Sequence, residues 1–114
     1  MSESLKVARE AAQALMENKG EDVIILDVSD QFRLADYFVL ATGQSRPHLD
    51  FLVKEIRNSL KDDLEREPTG PEGTPEQGWV LVDYRNVIIH LFTDEKRDYY
   101  DLENLWADAD VISA

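Results

Sequence analysis

The chain has no cysteine, which excludes disulfides, thiolate metal sites and cysteine nucleophiles and removes the usual sign of an oxidising compartment. Long apolar runs are missing as well. No segment approaches the roughly 20 residues of a membrane-spanning helix, and Met1 to Lys6 carries neither the basic nor the apolar part of a signal peptide. A soluble cytoplasmic protein with no membrane contact is expected. Basic residues are scarce, 12 against 24 acidic ones, for a formal net charge of −12. Counterion release from nucleic acid needs clustered Lys and Arg, so little direct nucleic-acid contact is expected. A basic protein partner would instead be attracted and steered, although the same acidity also serves solubility. With only His48 and His90 and no cysteine, no metal-ligand cluster is apparent, and the reading is no metal and no cofactor.

Glycine and proline are few, 5 and 4, yet three of each fall between Glu67 and Gly78. That stretch cannot continue a regular element and reads as a mobile loop at 67–78 inside one domain spanning 1–114. A chain of 114 residues is long enough to bury one core without staples.

What is present alternates between helical and strand periodicity. Leu5, Ala8, Ala12 and Leu15 recur at helical steps, and Asn18-Lys19-Gly20 closes that helix, with glycine available for the left-handed position. Val23 to Leu26 is a short unalternating apolar run, as in a strand covered on both faces. Tyr37 to Ala41 is a second such run, and the connection between them is too short for a parallel crossover, so the two are expected to be antiparallel if adjacent. Asp27 and Asp36 flank these strands as solvated strand-end carboxylates. Thr42-Gly43-Gln44-Ser45 then leads into a helix in which Ser45 is the cap, Pro47 sits in the first turn, and His48 follows as a neutral surface histidine. The Gly-x-Ser turn before a helix is also a weak anion cradle, but it lacks the Gly-Lys-Ser/Thr ending of a phosphate loop. Leu49, Leu52, Val53, Ile56, Leu60 and Leu64 give this helix its apolar stripe.

The most informative stretch runs from Gly78 to Trp106 and holds both tryptophans and three of the four tyrosines. Trp79 to Tyr84 and Val87 to Phe92 read as a hairpin around Arg85-Asn86. Alternation places Trp79, Leu81 and Asp83 on one face of the first strand and Val80, Val82 and Tyr84 on the other. Ile88, His90 and Phe92 share a face of the second, with His90 a hydrogen-bonded, partly buried histidine. Asp94 caps a last helix whose stripe is Tyr99, Leu102, Trp106 and Ala109, with Arg97, Tyr100, Asp101 and Asn104 off it. Tyr99 and Trp106 are expected in the core. Trp79, Tyr84 and Tyr100 are open to either core or interface, the aromatic types being enriched where proteins meet. The fold class is α/β, a single domain with a mixed β-sheet packed with helices in the order α-β-β-α-β-β-α.

Five segments, Ile25-Leu26-Asp27-Val28-Ser29, Asp36 to Ser45, Gly78 to Tyr84, Val87 to Phe92 and Arg97 to Trp106, resemble the ribosomal silencing factor family, also called the Iojap family, in the family's own order. That resemblance implies a nucleotidyltransferase-like fold with no enzymatic role. It implies a translational repressor that binds large-subunit ribosomal protein L-fourteen and blocks the small subunit from joining when nutrients are scarce, with organelle relatives acting in ribosome assembly. It places Trp79, Tyr84 and Tyr100 as partner contacts, with Asp83 and Arg97 as further ones. Arg85 departs from the family, which often has glycine there, and Pro47 stands where a polar residue is usual. Two other readings compete. A nucleotidyl-transferring enzyme would use the Gly43-x-Ser45 turn, but such chemistry needs clustered carboxylates around divalent metal, and the strands offer Asp83 alone with Asp27 on an earlier strand. A small acidic scaffold would use its exposed aromatics for homodimer formation.

Overall fold

The computed structural model describes residues 3–69, 71–74 and 77–112. Helix α1 (Glu3–Glu17) is followed by β1 (Glu21–Asp27), β2 (Tyr37–Gly43), α2 (Arg46–Leu64), β3 (Pro71–Thr74), β4 (Trp79–Asp83), β5 (Val87–Thr93), α3 (Asp94–Tyr100), α4 (Leu102–Leu105) and β6 (Asp110–Ile112). The strands form one sheet in the order β3-β4-β5-β2-β1-β6. As expected, β1 and β2 are antiparallel and β4 and β5 form a hairpin. Strands β2 and β5 run parallel at the centre, Tyr37 opposite Val87 and Gly43 opposite Thr93.

Alternation along these strands feeds two cores. Val39, Val80, Val82, Ile89 and Leu91 meet α1 and α2 on one face, in a cluster that includes Leu15, Leu49, Leu52, Ile56 and Leu60. Leu26, Phe38, Leu40 and Phe92 point to the other face, where Phe32, Leu102 and Trp106 pack. Helices α1 and α2 are joined side by side. His48 bonds the end of α1 at Asn18 O (2.9 Å), and Arg66 bonds Glu3 near its start (3.2 Å). Asp36, one of the expected strand-end carboxylates, accepts from Ser4 at 2.9 Å and so ties α1 to the start of β2. Asp27 accepts from the backbone and hydroxyl of Ser29 at 3.1 and 2.6 Å.

Several details depart from the sequence reading; the cap of the last helix is Thr93 and not Asp94, the Thr93 hydroxyl accepting from the Lys96 N–H at 3.4 Å. Pro71–Thr74 within the expected loop at 67–78 pairs antiparallel with β4; an edge position tolerates proline because one side of the strand needs no donor. Residues 70 and 75–76 of that loop lie outside the described residues. At the end of α1 it is Lys19, φ 70°, that takes the left-handed position. Gly20 is required for space instead, since a Cβ there would stand 2.8 Å from the Leu15 carbonyl oxygen. The last helix is broken: Asp101, φ 49°, ends α3 in the left-handed region and α4 starts on a new phase. Finally, Asp110–Ile112 adds a strand beside β1.

The turn between β4 and β5 has a specific geometry. Arg85 sits at φ 72°, and the Asn86 N–H donates to the Tyr84 carbonyl at 3.0 Å. The result is a γ-turn with positive φ at its centre, a strained form for any residue with a Cβ. Asp83 Oδ1 steadies it by accepting from the Arg85 N–H at 2.6 Å. The Asn86 carbonyl in turn accepts from the N–H groups of Asp36 (2.7 Å) and Tyr37 (3.2 Å), so the turn is docked on the start of β2. Relief of the left-handed penalty outweighs the extra chain entropy of glycine at such a site. Arg85→Gly is therefore expected to stabilise the fold by about 1 kcal/mol, raising the thermal midpoint by roughly 4 °C. Thermal unfolding of both proteins checks this, and an unchanged or lower midpoint contradicts it.

Candidate functional site

Two surfaces could carry function. The first is a cleft of about 510 Å³ at the carboxyl ends of the parallel strands, between Gly43-Gln44-Ser45 and the start of α3. Open α/β sheets place ligands at such a position. Ser45 caps α2 by accepting from the His48 N–H at 3.2 Å. His48 is committed internally: its Nδ1 accepts from Gln44 N–H (2.9 Å), which leaves Nε2 to donate to Asn18 O. The walls mix Arg46 and Lys96 with Glu21, Asp94 and Glu95. Asp83 and Asp27, the carboxylates the enzyme reading depends on, face Ile88 and Tyr37 and so lie at the opposite end of the sheet. The length of β5 separates them from the cleft, on the order of 17 Å. Among the described residues no group of three or more His, Cys, Asp or Glu could hold a metal ion.

The second surface is aromatic. On the face away from α1 and α2, the Trp79 indole stacks near Phe92 (5.6 Å, 16°) and His90 (6.0 Å, 21°), and the Tyr100 ring lies 4.6 Å from it on the outer side. Tyr99 meets Tyr100 edge to face at 5.1 Å, with Lys96 Nζ 5.3 Å over the Tyr99 ring. The rings thus run without a break from the buried Phe38–His90 pair (4.8 Å) to solvent. Tyr100 is 40% exposed, Tyr99 74% and Leu105 72%. Exposed Asp94, Glu95, Asp98 and Asp101 stand on the same short segment. An apolar centre with a charged margin is the usual anatomy of a protein-binding patch.

The residues singled out by the family resemblance separate on this frame. Trp79 and Tyr100 are together at the surface. Asp83 shares the face of Trp79, half-buried, with its carboxylate engaged by the turn. Tyr84 is 8% exposed and belongs to the core under α1 and α2, on the opposite face of the sheet from Trp79. The alternation already visible in the sequence carried that signal, since Tyr84 shares its face with Val80 and Val82. Burial pushes its hydroxyl up to about 12, with the Arg57 charge opposing. Arg97 is 7% exposed and turned inward to Thr42 and Glu103. Tyr99, expected in the core, projects into solvent because the break at Asp101 takes α3 out of phase with Leu102, Trp106 and Ala109. Trp106 does pack as expected, 5.3 Å from Phe38 and 5.6 Å from Phe32, both edge to face.

His90 supports the aromatic surface from beneath. Its Nδ1 accepts from Trp79 Nε1–H at 3.3 Å, so the proton of the neutral ring resides on Nε2, which is buried with no hydrogen-bond partner. Burial lowers its pKa to about 4. A second proton would have to displace the Trp79 hydrogen bond.

A family model described as "Ribosomal silencing factor during starvation" matches residues 1–114 of this sequence. The Bacillus subtilis protein named ribosomal silencing factor RsfS is 36% identical over 99 residues, 87% of this chain and 83% of its own. The Chromobacterium violaceum protein of the same name is 36% identical over 101 residues, 89% and 82% of the two chains. A mouse protein named mitochondrial assembly of ribosomal large subunit protein 1 is 32% identical over 94 residues, 81% of this chain and 41% of its own. A crystal structure of a Chromobacterium violaceum protein matches with a TM-score of 0.86 at 35% identity, covering 93% of this chain and 88% of its own.

Because the folded pKa of His90 lies below its unfolded value near 6.5, the folded state resists a proton that the unfolded state accepts. The contribution of His90 to stability is fully present above pH 6.5 and is lost as the pH drops toward 4, on the order of 3 kcal/mol in all. Asn in place of histidine can still accept from Trp79 without titrating. Denaturant unfolding at pH 7 and pH 5 is expected to show a smaller acid loss for His90→Asn than for the parent, and equal losses would refute the assignment.

Proposed function

The chain belongs to the ribosomal silencing factor family, and from that premise we propose that it is a translational repressor that docks on the large ribosomal subunit through ribosomal protein L-fourteen. Bound there, it obstructs joining of the small subunit and lowers translation when nutrients are limiting. The observation that carries this reading is the aromatic surface of Trp79, Tyr99 and Tyr100 inside an acidic margin, with Asp83 on the same face. Ribosomal proteins are generally basic because they sit on RNA, so a surface of this kind suits one of them without competing for phosphate. Silencing by obstruction needs occupancy alone. An interface of ordinary size takes roughly 20 to 30 residues a side, a large share of so small a domain, and leaves its bulk projecting where another subunit would dock. Tyr84 and Arg97 contribute by support from inside the fold.

No enzymatic step belongs to this reading. The cleft beside Gly43 is the observation that favours a nucleotidyl-transferring enzyme, and the placement of Asp27 and Asp83 at the far end of the sheet counts against it. Self-association through the aromatic surface would bring two acidic margins together in a chain of net charge −12, which is unfavourable at low salt.

The test is co-sedimentation of the purified protein with large and small subunits at low and moderate salt. Capture by the large subunit, weakened by salt, and loss of subunit joining are expected. Tyr100→Ala and Tyr99→Ala remove exposed rings and are expected to weaken capture, the former by about 2 kcal/mol, or roughly 30-fold, if it anchors the interface. Trp79→Ala also uncovers His90, so its stability must be measured beside its binding. Folded tyrosine variants that sediment like the parent would sink the contact assignment.

A further inference from the structure

We propose that Arg97 is a positioning residue that holds the partner-facing rings in place from within the fold; this rests on the reading of the aromatic surface as a binding site. Arg97 lies on α3 between Lys96 and the Tyr99–Tyr100 pair, but its guanidinium turns inward. Nη1 donates to Thr42 Oγ1 at the end of β2 (2.9 Å), while Nε and Nη2 donate to the two carboxylate oxygens of Glu103 (3.0 and 3.1 Å). Thr42 is itself buried, 2% exposed. One side chain therefore joins the sheet, α3 and α4.

The placement of Glu103 is what gives this contact its purpose. It stands beyond the left-handed Asp101 that separates the two short helices. Helices of seven and four residues have little stability of their own, so the angle between them must be set by tertiary contacts. The paired bonds from Arg97 to Glu103 cross the break, and a planar fork matched to a carboxylate fixes orientation as well as distance. The third bond registers the unit on β2. Tyr100 follows Arg97 by less than one turn, and its 4.6 Å approach to Trp79 depends on where α3 is held.

Lysine keeps the charge at position 97 but not the fork, and Glu103→Gln removes the charged acceptor without touching α3. Amide hydrogen exchange is measured on both variants, together with large-subunit capture and a cycle with Tyr100→Ala. Exchange in residues 97–106 is expected to rise about tenfold in each, with α1, α2 and β5 unchanged. Capture is expected to weaken by a similar factor in both, roughly fivefold to tenfold, and Tyr100→Ala to cost less in either background than in the parent. If Arg97→Lys unfolds, Glu103→Gln alone carries the comparison. Unchanged exchange in the folded variants overturns the proposal. So does a loss of capture confined to Arg97→Lys with full additivity to Tyr100→Ala, which would make Arg97 a direct contact. Should the parent protein fail to capture large subunits, the functional reading fails, and exchange across the break still decides whether Arg97 orders the ring-bearing segment.

Discussion

The parallel pairing of β2 with β5 at the centre of the sheet is the constraint from which the rest follows. Both strands are buried on both faces, so their alternating side chains must be met by two separate layers. One layer is made by α1 and α2, long enough to cover their face continuously. The other is made by the β1–β2 connection together with two short helices and the residues after them, which cover β1 and β2 through Phe32, Leu102 and Trp106 but only lean over β4. Unequal cover leaves Trp79 and Leu81 half-buried, Trp79 against Tyr100, and the aromatic surface is a consequence of that inequality.

Of the five non-glycine residues with positive φ among the described residues, two, Arg85 and Asp101, mark places where this arrangement is imposed on the chain. Arg85 adopts a positive φ so that Asn86 can present its carbonyl to two N–H groups at the start of β2. Asp101 does so to redirect the chain after α3, leaving Leu102 and Trp106 to face the sheet and Tyr99 and Tyr100 to face solvent. Residues with a Cβ occupy the left-handed region at some cost, and persist there when surrounding contacts over-determine the position. At Arg85 these are the Asp83 carboxylate and the β2 backbone. At Asp101 they are the carbonyl of Arg97 and the ion pair that spans the break.

Much of the architecture was legible from periodicity alone. The two long helices, the four main strands, the antiparallel β1–β2 pair and the hairpin all follow from apolar spacing strong enough to override local preference. The missed pieces are those whose order comes from a partner element. Pro71–Thr74 has a loop's composition and becomes a strand through its pairing with β4, while Asp110–Ile112 is too short to show a pattern. The break at Asp101 had no glycine or proline to announce it, so the stripe drawn through Tyr99 continued one helix too far. The same error hid the direction of Arg97, a charged residue whose burial depends on Glu103 and Thr42 being within reach. For the site, alternation was enough to separate Trp79 from Tyr84, but which of the two faces stays uncovered is a property of the assembled layers.

The order of the rings then links stability to recognition. Phe38 and His90 belong to the interior, Trp79 to the boundary, and Tyr100 and Tyr99 to the surface, each in contact with the next. The hydrogen bond from Trp79 to His90 fixes the indole plane from below, and the clamp of Arg97 fixes Tyr100 from the side. Rings held in this way lose little freedom when a partner covers them, and that saving adds to whatever contact they make. The acidic margin adds long-range attraction for a basic partner but no shape, whereas the rings have shape but no reach. On the proposed reading, a surface with both selects one basic protein from among many basic surfaces, because charge brings each of them near and only a complementary face buries Trp79 and Tyr100 together.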